Sequence, residues 1–163
     1  MIRKAKEEDI PQLLELLLQV NRVHHELRPD LFKPQTTKYD ESQLRHLLAD
    51  ESTPVFVYEQ NAVLGYVFVR IEQTKDDRLL QDRRTLYIDD LCVDESARGQ
   101  HIGSKLFAYA RQFAEKNGCQ SVTLNVWAGN ASALAFYRRA GMSVRKTCME
   151  LNLEQTAWSY TPN

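Results

Sequence analysis

The sequence predicts an α/β (α+β) sandwich, a mixed β-sheet with helices on both faces. Three observations carry that prediction. Strand-like and helix-like runs alternate in the order β-α-α-β-β-β-α-β-α-β. Two of the strand runs, PVFVYEQN and AVLGYVFVRIE, are separated only by a turn near Asn61 and read as an antiparallel hairpin. The chain of 163 residues shows no internal repeat, low-complexity segment or linker, and fits one domain, residues 1–163, able to bury a substantial core.

Each element has a local cause. IRKAKEED reads as a short first strand, with Asp9 placed to cap the next helix and Pro11 suited to its first turn. Leu13, Leu14, Leu16, Leu17, Leu18 and Val20 give that helix one broad apolar face, and the two prolines of RPDLFKP end it. DESQLRHLLAD is a second helix with an acidic, cap-ready start. After the hairpin, DDRLLQDRR is polar and loops out, and TLYIDDLCV returns to strand. IGSKLFAYARQFAEKNG is an amphipathic helix with the stripe Leu106, Phe107, Ala110, Phe113 and Ala114, and Gly118 is placed to end it. SVTLNVW is a strand, ASALAFYRRAG a short helix ended by Gly141, and MSVRKTCMELNL a last strand; the tail EQTAWSYTPN carries no assignment.

Composition removes several classes of function. A net charge of −1 gives no electrostatic case for nucleic acid or an anionic membrane. Acidic residues precede the first apolar run and Glu15 interrupts it, so the start does not read as a signal peptide. No run approaches the roughly 20 apolar residues that span a bilayer. Cys92, Cys119 and Cys148 are odd in number and widely spaced, which gives neither a complete disulfide set nor a metal-ligand pattern. Reduced thiols in a cytoplasmic protein without a metal are the expectation.

Three stretches carry chemistry. RGQHIG, Arg98–Gly103, opens a helix after a strand, where free backbone N–H groups and the positive end of the helix dipole suit a pyrophosphate. Arg98 is placed to add a charge-assisted contact. The competing reading is a plain strand-to-helix turn, since neither the dinucleotide fingerprint nor a Walker loop is present. In TLYIDDLCV, neighbouring side chains of a strand point to opposite faces, so at least one of Asp89 and Asp90 is aimed at a buried layer. Such a carboxylate has a raised pKa or a partner; it serves as a general base near neutral pH, or as a structural ion pair or strand-end cap. In WAGNASALAFYRRAG, Asn130 is a good N-cap and Tyr137 lies two turns along the same helix. The pair either follows an extended ligand arm or is a cap and a core tyrosine.

In their order and spacing these pieces resemble the GNAT superfamily of acetyl-coenzyme A-dependent N-acetyltransferases, over about Ile2 to Leu153. RGQHIG matches the signature Arg/Gln-x-x-Gly-x-Gly/Ala except at His101; NASALAFYRRAGM and RPDLF match two further segments. The resemblance implies a mostly antiparallel sheet of six to seven strands, splayed between strands 4 and 5, with acetyl-coenzyme A as co-substrate. The pyrophosphate would lie on Arg98, Gly99, Gln100, His101, Ile102, Gly103 and Ser104. The pantetheine arm would run along Leu91, Cys92 and Val93, with Asn130, Ala133 and Tyr137 on its other side. Tyr137 would serve the departing thiolate, and the base would be Asp89 first, Asp90 second. Glu26, Asp30 and Phe32 would face the acceptor. Asn125 stands where acetyltransferases of ribosomal-protein N-termini often carry a glutamate base, and an amide cannot play that part.

The function expected is transfer of the acetyl group to a primary amine by direct attack in a ternary complex, the acceptor being a small cationic amine. The alternatives are a coenzyme A-binding sensor without turnover, and a protein or peptide N-acetyltransferase. A homodimer joined through the last strand and tail is the family-level expectation.

Overall fold

A strand forms where a neighbour takes its N–H and C=O groups. In the computed structural model, which describes residues 1–154, five strands find such neighbours. They are β1 (Ile2–Lys4), β2 (Val55–Gln60), β3 (Ala62–Thr74), β4 (Arg83–Val93) and β5 (Ser121–Thr123), lying in that order across the sheet. β1 through β4 pair antiparallel, and β5 runs parallel to β4. The helices are α1 (Ile10–Leu27), α2 (Glu41–Ala49), α3 (Ile102–Lys116) and α4 (Ala131–Arg139). The chain divides into two compact units, residues 1–130 and 131–163.

The sheet of six to seven strands expected from the sequence is therefore corrected to five. SVTLNVW is a strand only over Ser121–Thr123, and MSVRKTCMELNL forms none. In that segment Val144, Met149, Leu151 and Leu153 are exposed. Alternating apolar residues permit a strand, but pairing is a tertiary property that the pattern cannot supply. The tail beyond Glu154 lies outside the described residues.

In the first unit, α1 and α2 cover one face of the sheet. Leu13, Leu16, Leu17 and Leu44 join Val55, Val57, Tyr66 and Phe68 in one buried cluster. α2 starts as its sequence predicts: Asp40 accepts from Gln43 N–H at 2.8 Å, and its own N–H donates to Gln43 Oε1. Asp9 does not cap α1. Its carboxylate accepts from Lys6 N–H and takes Arg3 in a two-pronged bond at 2.7 and 2.9 Å, and that bond holds it below the usual carboxylate range. Arg3 also meets Glu59 at 2.7 Å, so one guanidinium ties β1 to the end of β2 and to the start of α1.

α3 covers the opposite face. Phe56, whose strand neighbours Val55 and Val57 belong to the α1 side, packs edge-on against Tyr109 and tilted against Phe113. At Gly65 the side chains of α3 press close to the sheet. A Cβ there would stand 2.8 Å from the Cys92 carbonyl oxygen and 3.1 Å from Leu106 Cδ1. Backbone cannot retreat as a flexible side chain does, so Gly65→Ala is expected to cost about 1–3 kcal/mol. Urea unfolding of the variant measures it, and an unchanged midpoint would refute the close packing.

Candidate active site

β4 carries the two aspartates, and one irregularity decides where they point. Along the β3–β4 ladder Val69 pairs with Ile88 and Phe68 with Asp90, so Asp89 is an extra residue, a β-bulge. In a regular strand adjacent side chains face opposite ways. The bulge resets that phase, and both carboxylates reach the face that carries Tyr66 and Phe68. Asp90 accepts a hydrogen bond from the Tyr66 hydroxyl at 2.9 Å, and Asp89 accepts one at 2.8 Å from Tyr39, whose ring stacks on Phe68.

The two environments differ. Asp89 also pairs with Lys38 at 2.6 Å and with Arg70 at 3.3 Å. Burial alone would raise its pKa, but the bonds from Lys38 and Tyr39 and the charges of Lys38 and Arg70 outweigh it, and the group is held below the usual carboxylate range. Asp90 is half-buried, and among the described residues no cation pairs with it. Burial above all, then the charge of Asp89, lifts its carboxyl to about 6 against the pull of the Tyr66 bond, the charge of Lys38 and the Leu91 N–H. Two adjacent carboxylates with such different titrations divide naturally into a fixed charge and a proton acceptor.

Beyond the bulge β4 continues as Leu91, Cys92 and Val93, paired with β3 on one side. Its ladder with β5 covers only Thr85 to Tyr87. Among the described residues no strand pairs with the other edge of 88–93, which leaves room for a ligand arm bearing amides. Cys92 is buried and accordingly pushed up to about 12, so it packs rather than reacts.

The RGQHIG loop holds two residues in the left-handed region, Gly99 at φ 81° and His101 at φ 58°. His101 therefore accepts the conformation that glycine would take most easily. It precedes α3 and makes no side-chain cap, and the first helical bond runs from Lys105 N–H to His101 O. The amides of Ile102, Gly103 and Ser104 stand ahead of that bond at the positive end of the helix. Arg98, Gly99, Gln100, His101 and Ser104 are exposed, Gly103 is half-buried, and Ile102 is buried.

The segment after α1 is built around Phe32. Its ring lies 5.0 Å from His24 and 5.3 Å from Trp127, and Trp127 is approached by Arg28 at 6.0 Å. Burial, then the charge of Lys38, hold His24 below its ordinary range. Asp30 is taken up by Arg28 in a bidentate pair at 2.9 and 2.6 Å, and Glu26 is exposed on the last turn of α1. Asn125 donates to the Tyr87 hydroxyl at 3.2 Å, and Arg70 lies 4.3 Å over the Tyr87 ring. Asn130 closes the first unit, its N–H bonded to Trp127 O. In the second unit Ala133 and Tyr137 are one turn apart on α4, and Phe136 meets the Tyr137 ring edge-on.

The structure thus brings Asp89, Asp90 and Leu91–Val93 into one strand that leads through a short turn to the RGQHIG loop. Sequence reasoning missed Tyr66, Tyr39, Lys38 and Arg70. Their contacts to the aspartates span 19 to 51 residues of chain, and only the bulged register reveals them.

Comparison with known proteins gives this arrangement its class. The acetyltransferase (GNAT) family matches residues 20–142, and the chain belongs to that family. Its chemistry is transfer of an acetyl group from acetyl-coenzyme A to an amine. An uncharacterized N-acetyltransferase of Methanocaldococcus jannaschii is 26% identical over 146 residues, which are 89% of this chain and 61% of that protein. The chain therefore spans about three fifths of that relative's length. The thialysine N-epsilon-acetyltransferase of Mus musculus is 26% identical over 145 residues, 86% of this chain and 82% of its own. The crystal structure of a mutant Bacillus halodurans protein superposes with a TM-score of 0.90 at 31% identity, covering 94% of this chain and 99% of that one.

The residues present fit acetyl-coenzyme A. The amides at the start of α3 suit a pyrophosphate, and among the described residues nothing lies within 4 Å of where a Cβ on Gly99 would stand. Among the described residues no His, Cys, Asp and Glu side chains group as metal ligands, and no helix is long and apolar enough to cross a membrane.

A β-branched side chain tolerates positive φ poorly. His101→Val is expected to lose about 1–2 kcal/mol and to weaken coenzyme A binding, whereas His101→Gly melts no lower than the parent. Thermal melts with and without coenzyme A measure both, and equal stability of the valine variant would refute a strained His101.

Proposed function

We propose that the chain acetylates a small primary amine by direct attack within a ternary complex, with Asp90 as the group that collects the amine's proton. The observation that carries this reading is the place of Asp90, next to the bulged residue and bonded to the Tyr66 hydroxyl at 2.9 Å, where burial pushes its carboxyl up to about 6. An alkylammonium has a pKa near about 10 and cannot attack until it loses a proton. Lifting the acceptor carboxyl from 3.8 to about 6 narrows that gap by about 3 kcal/mol. Asp89, held ionised by two cations, is the poorer proton acceptor, which reverses the order that the resemblance alone suggests.

Acetyl-coenzyme A supplies the acetyl group as an activated thioester. The amides of Ile102, Gly103 and Ser104, with Arg98, Gly99, Gln100 and His101, bind its phosphates, and the open edge of Leu91, Cys92 and Val93 aligns its arm. Asn130 and Ala133 line that arm, and Tyr137 hydrogen-bonds the departing sulfur. A phenol at about 10 is a weaker acid than a thiol at about 8.5, so Tyr137 acts as a hydrogen-bond donor and completes its proton transfer late. The two units work as one domain in this reading.

Glu26 and Phe32 remain on the acceptor side. Asp30 is already neutralised by Arg28 and contributes little attraction for a cation. The similarity to a thialysine N-epsilon-acetyltransferase supports a small amine. A homodimer and a cytoplasmic location complete the proposal. The exposed Val144, Met149, Leu151 and Leu153 support the dimer as an apolar surface suited to burial, and light scattering tests it.

Release of coenzyme A across a panel of amines tests the activity, with the chain's own three cysteines subtracted. Release that depends on one amine class establishes it. Saturable acetyl-coenzyme A binding without release from any amine would refute it in favour of a silent binding module.

With wild type, kcat/KM is expected to rise with pH through an apparent pKa of about 6 and then level, as Asp90 ionises. Asp90→Asn removes that limb and lowers kcat/KM by about 100-fold or more. The sign for stability is opposite. A carboxyl raised from 3.8 to about 6 in the folded chain destabilises it once ionised. Asp90→Asn therefore gains thermal stability relative to wild type between about pH 4 and pH 7, and a gain independent of pH would count against the raised carboxyl. Tyr137→Phe is expected to lower kcat much more than it weakens acetyl-coenzyme A binding; equal turnover would remove Tyr137 from the chemistry.

A further inference from the structure

The connection between α1 and α2 reaches the bulge through two neighbouring side chains that behave differently. Tyr39 is half-buried, stacked on Phe68, and donates its hydroxyl proton to Asp89 Oδ2 at 2.8 Å. Lys38 brings its ammonium to the same oxygen at 2.6 Å with a side chain 44% exposed. Arg70 holds the other oxygen at 3.3 Å and is itself paired with Glu72 and laid over Tyr87. The Lys38 charge is felt at Asp90 and at His24, so this ammonium lies within electrostatic reach of both carboxylates and of the last turns of α1.

A primary alkylammonium beside the residue next to the base is chemically the same group as a protonated acceptor. We propose that Lys38 is a tethered occupant of the acceptor's ammonium subsite at Asp89, and that an incoming amine binds by displacing it. The inference rests on the reading that the acceptor is an amine whose proton goes to Asp90.

Energetics favours exchange over a permanent tie. A half-exposed ion pair is worth at most about 1 kcal/mol, so water competes with Lys38 easily. Asp89, 15% exposed, keeps Arg70 when Lys38 leaves, and an acceptor ammonium restores the second cation. Tyr39 and Arg70 keep the carboxylate aimed during the exchange. A subsite occupied about four fifths of the time is free about one fifth of the time, which lowers apparent acceptor affinity about fivefold. A permanent tether predicts the reverse, because loss of Lys38 would then loosen the segment and weaken binding.

The test compares Lys38→Met and Lys38→Arg with wild type, using the best amine of the panel and saturating acetyl-coenzyme A. The expected result is an acceptor KM about fivefold lower in Lys38→Met, with Lys38→Arg, which restores a competing cation, at or above the wild-type value. An unchanged or raised KM in Lys38→Met overturns the proposal. Calorimetric titration with N,N-dimethylbutylammonium, a protonated tertiary amine that forms no stable amide, gives a readout without turnover. Lys38→Met should bind it about fivefold more tightly than wild type; equal affinity, or binding to neither, overturns the proposal. Absence of turnover by wild type with every primary amine would instead sink the activity, and the titration would still decide the role of Lys38. Melting curves of both variants confirm that each is folded.

Discussion

The single extra residue at Asp89 is the constraint on which the site depends. Without it β4 would keep strict alternation, and the side chain after Ile88 on the α1 face would be followed by one on the α3 face. With it, Asp89, Asp90 and then Cys92 all turn towards α1 and α2. The bulge thereby gathers two carboxylates on one side of a sheet that otherwise buries hydrocarbon there. It also explains the company they keep, since Tyr66 and Phe68 occupy that face of β3 and Tyr39 stacks on the second of them.

Placing two acids together is expensive unless their charges are managed separately. The chain does this by giving Asp89 two cations and a hydroxyl, and Asp90 the Tyr66 hydroxyl and the Leu91 N–H. Lys38, Tyr39 and Arg70 thus hold Asp89 below the usual carboxylate range, whereas burial pushes Asp90 up to about 6. The division follows from geometry: the bulged residue lies towards Lys38, Tyr39 and Arg70, and the next faces Tyr66, a phenol buried so completely that it stays protonated.

Much of this was legible in the sequence and some was not. The periodicity of α1 and α3, the Asp40 start of α2 and the hairpin at Asn61 are local features, and local chemistry fixes them. The glycine-rich start of α3 was legible for the same reason. The last strand was over-read, because a strand needs a partner and alternation alone names none. Asp9 was misplaced as a cap because Arg3, beside it in space, offers a stronger bond than free amides do. The partners of Asp89 and Asp90 come from residues far apart in the chain, and a one-residue slip in register is invisible to any pattern of period two.

His101 shows how a backbone angle governs the variation open to a position. Left-handed geometry at φ 58° admits glycine, asparagine, aspartate and histidine more readily than other residues. In the genetic code a histidine codon becomes asparagine or aspartate by a single base change, whereas glycine requires two. Drift at this codon can thus explore amide and acid side chains at the mouth of α3 without passing through a misfolded loop. Of those two, the acid would set a negative charge beside the amides proposed to hold a phosphate. At this position the substitutions within reach of one base change thus differ in charge more than in shape, and a search keyed to glycine would pass over chains whose loop is bent in the same way.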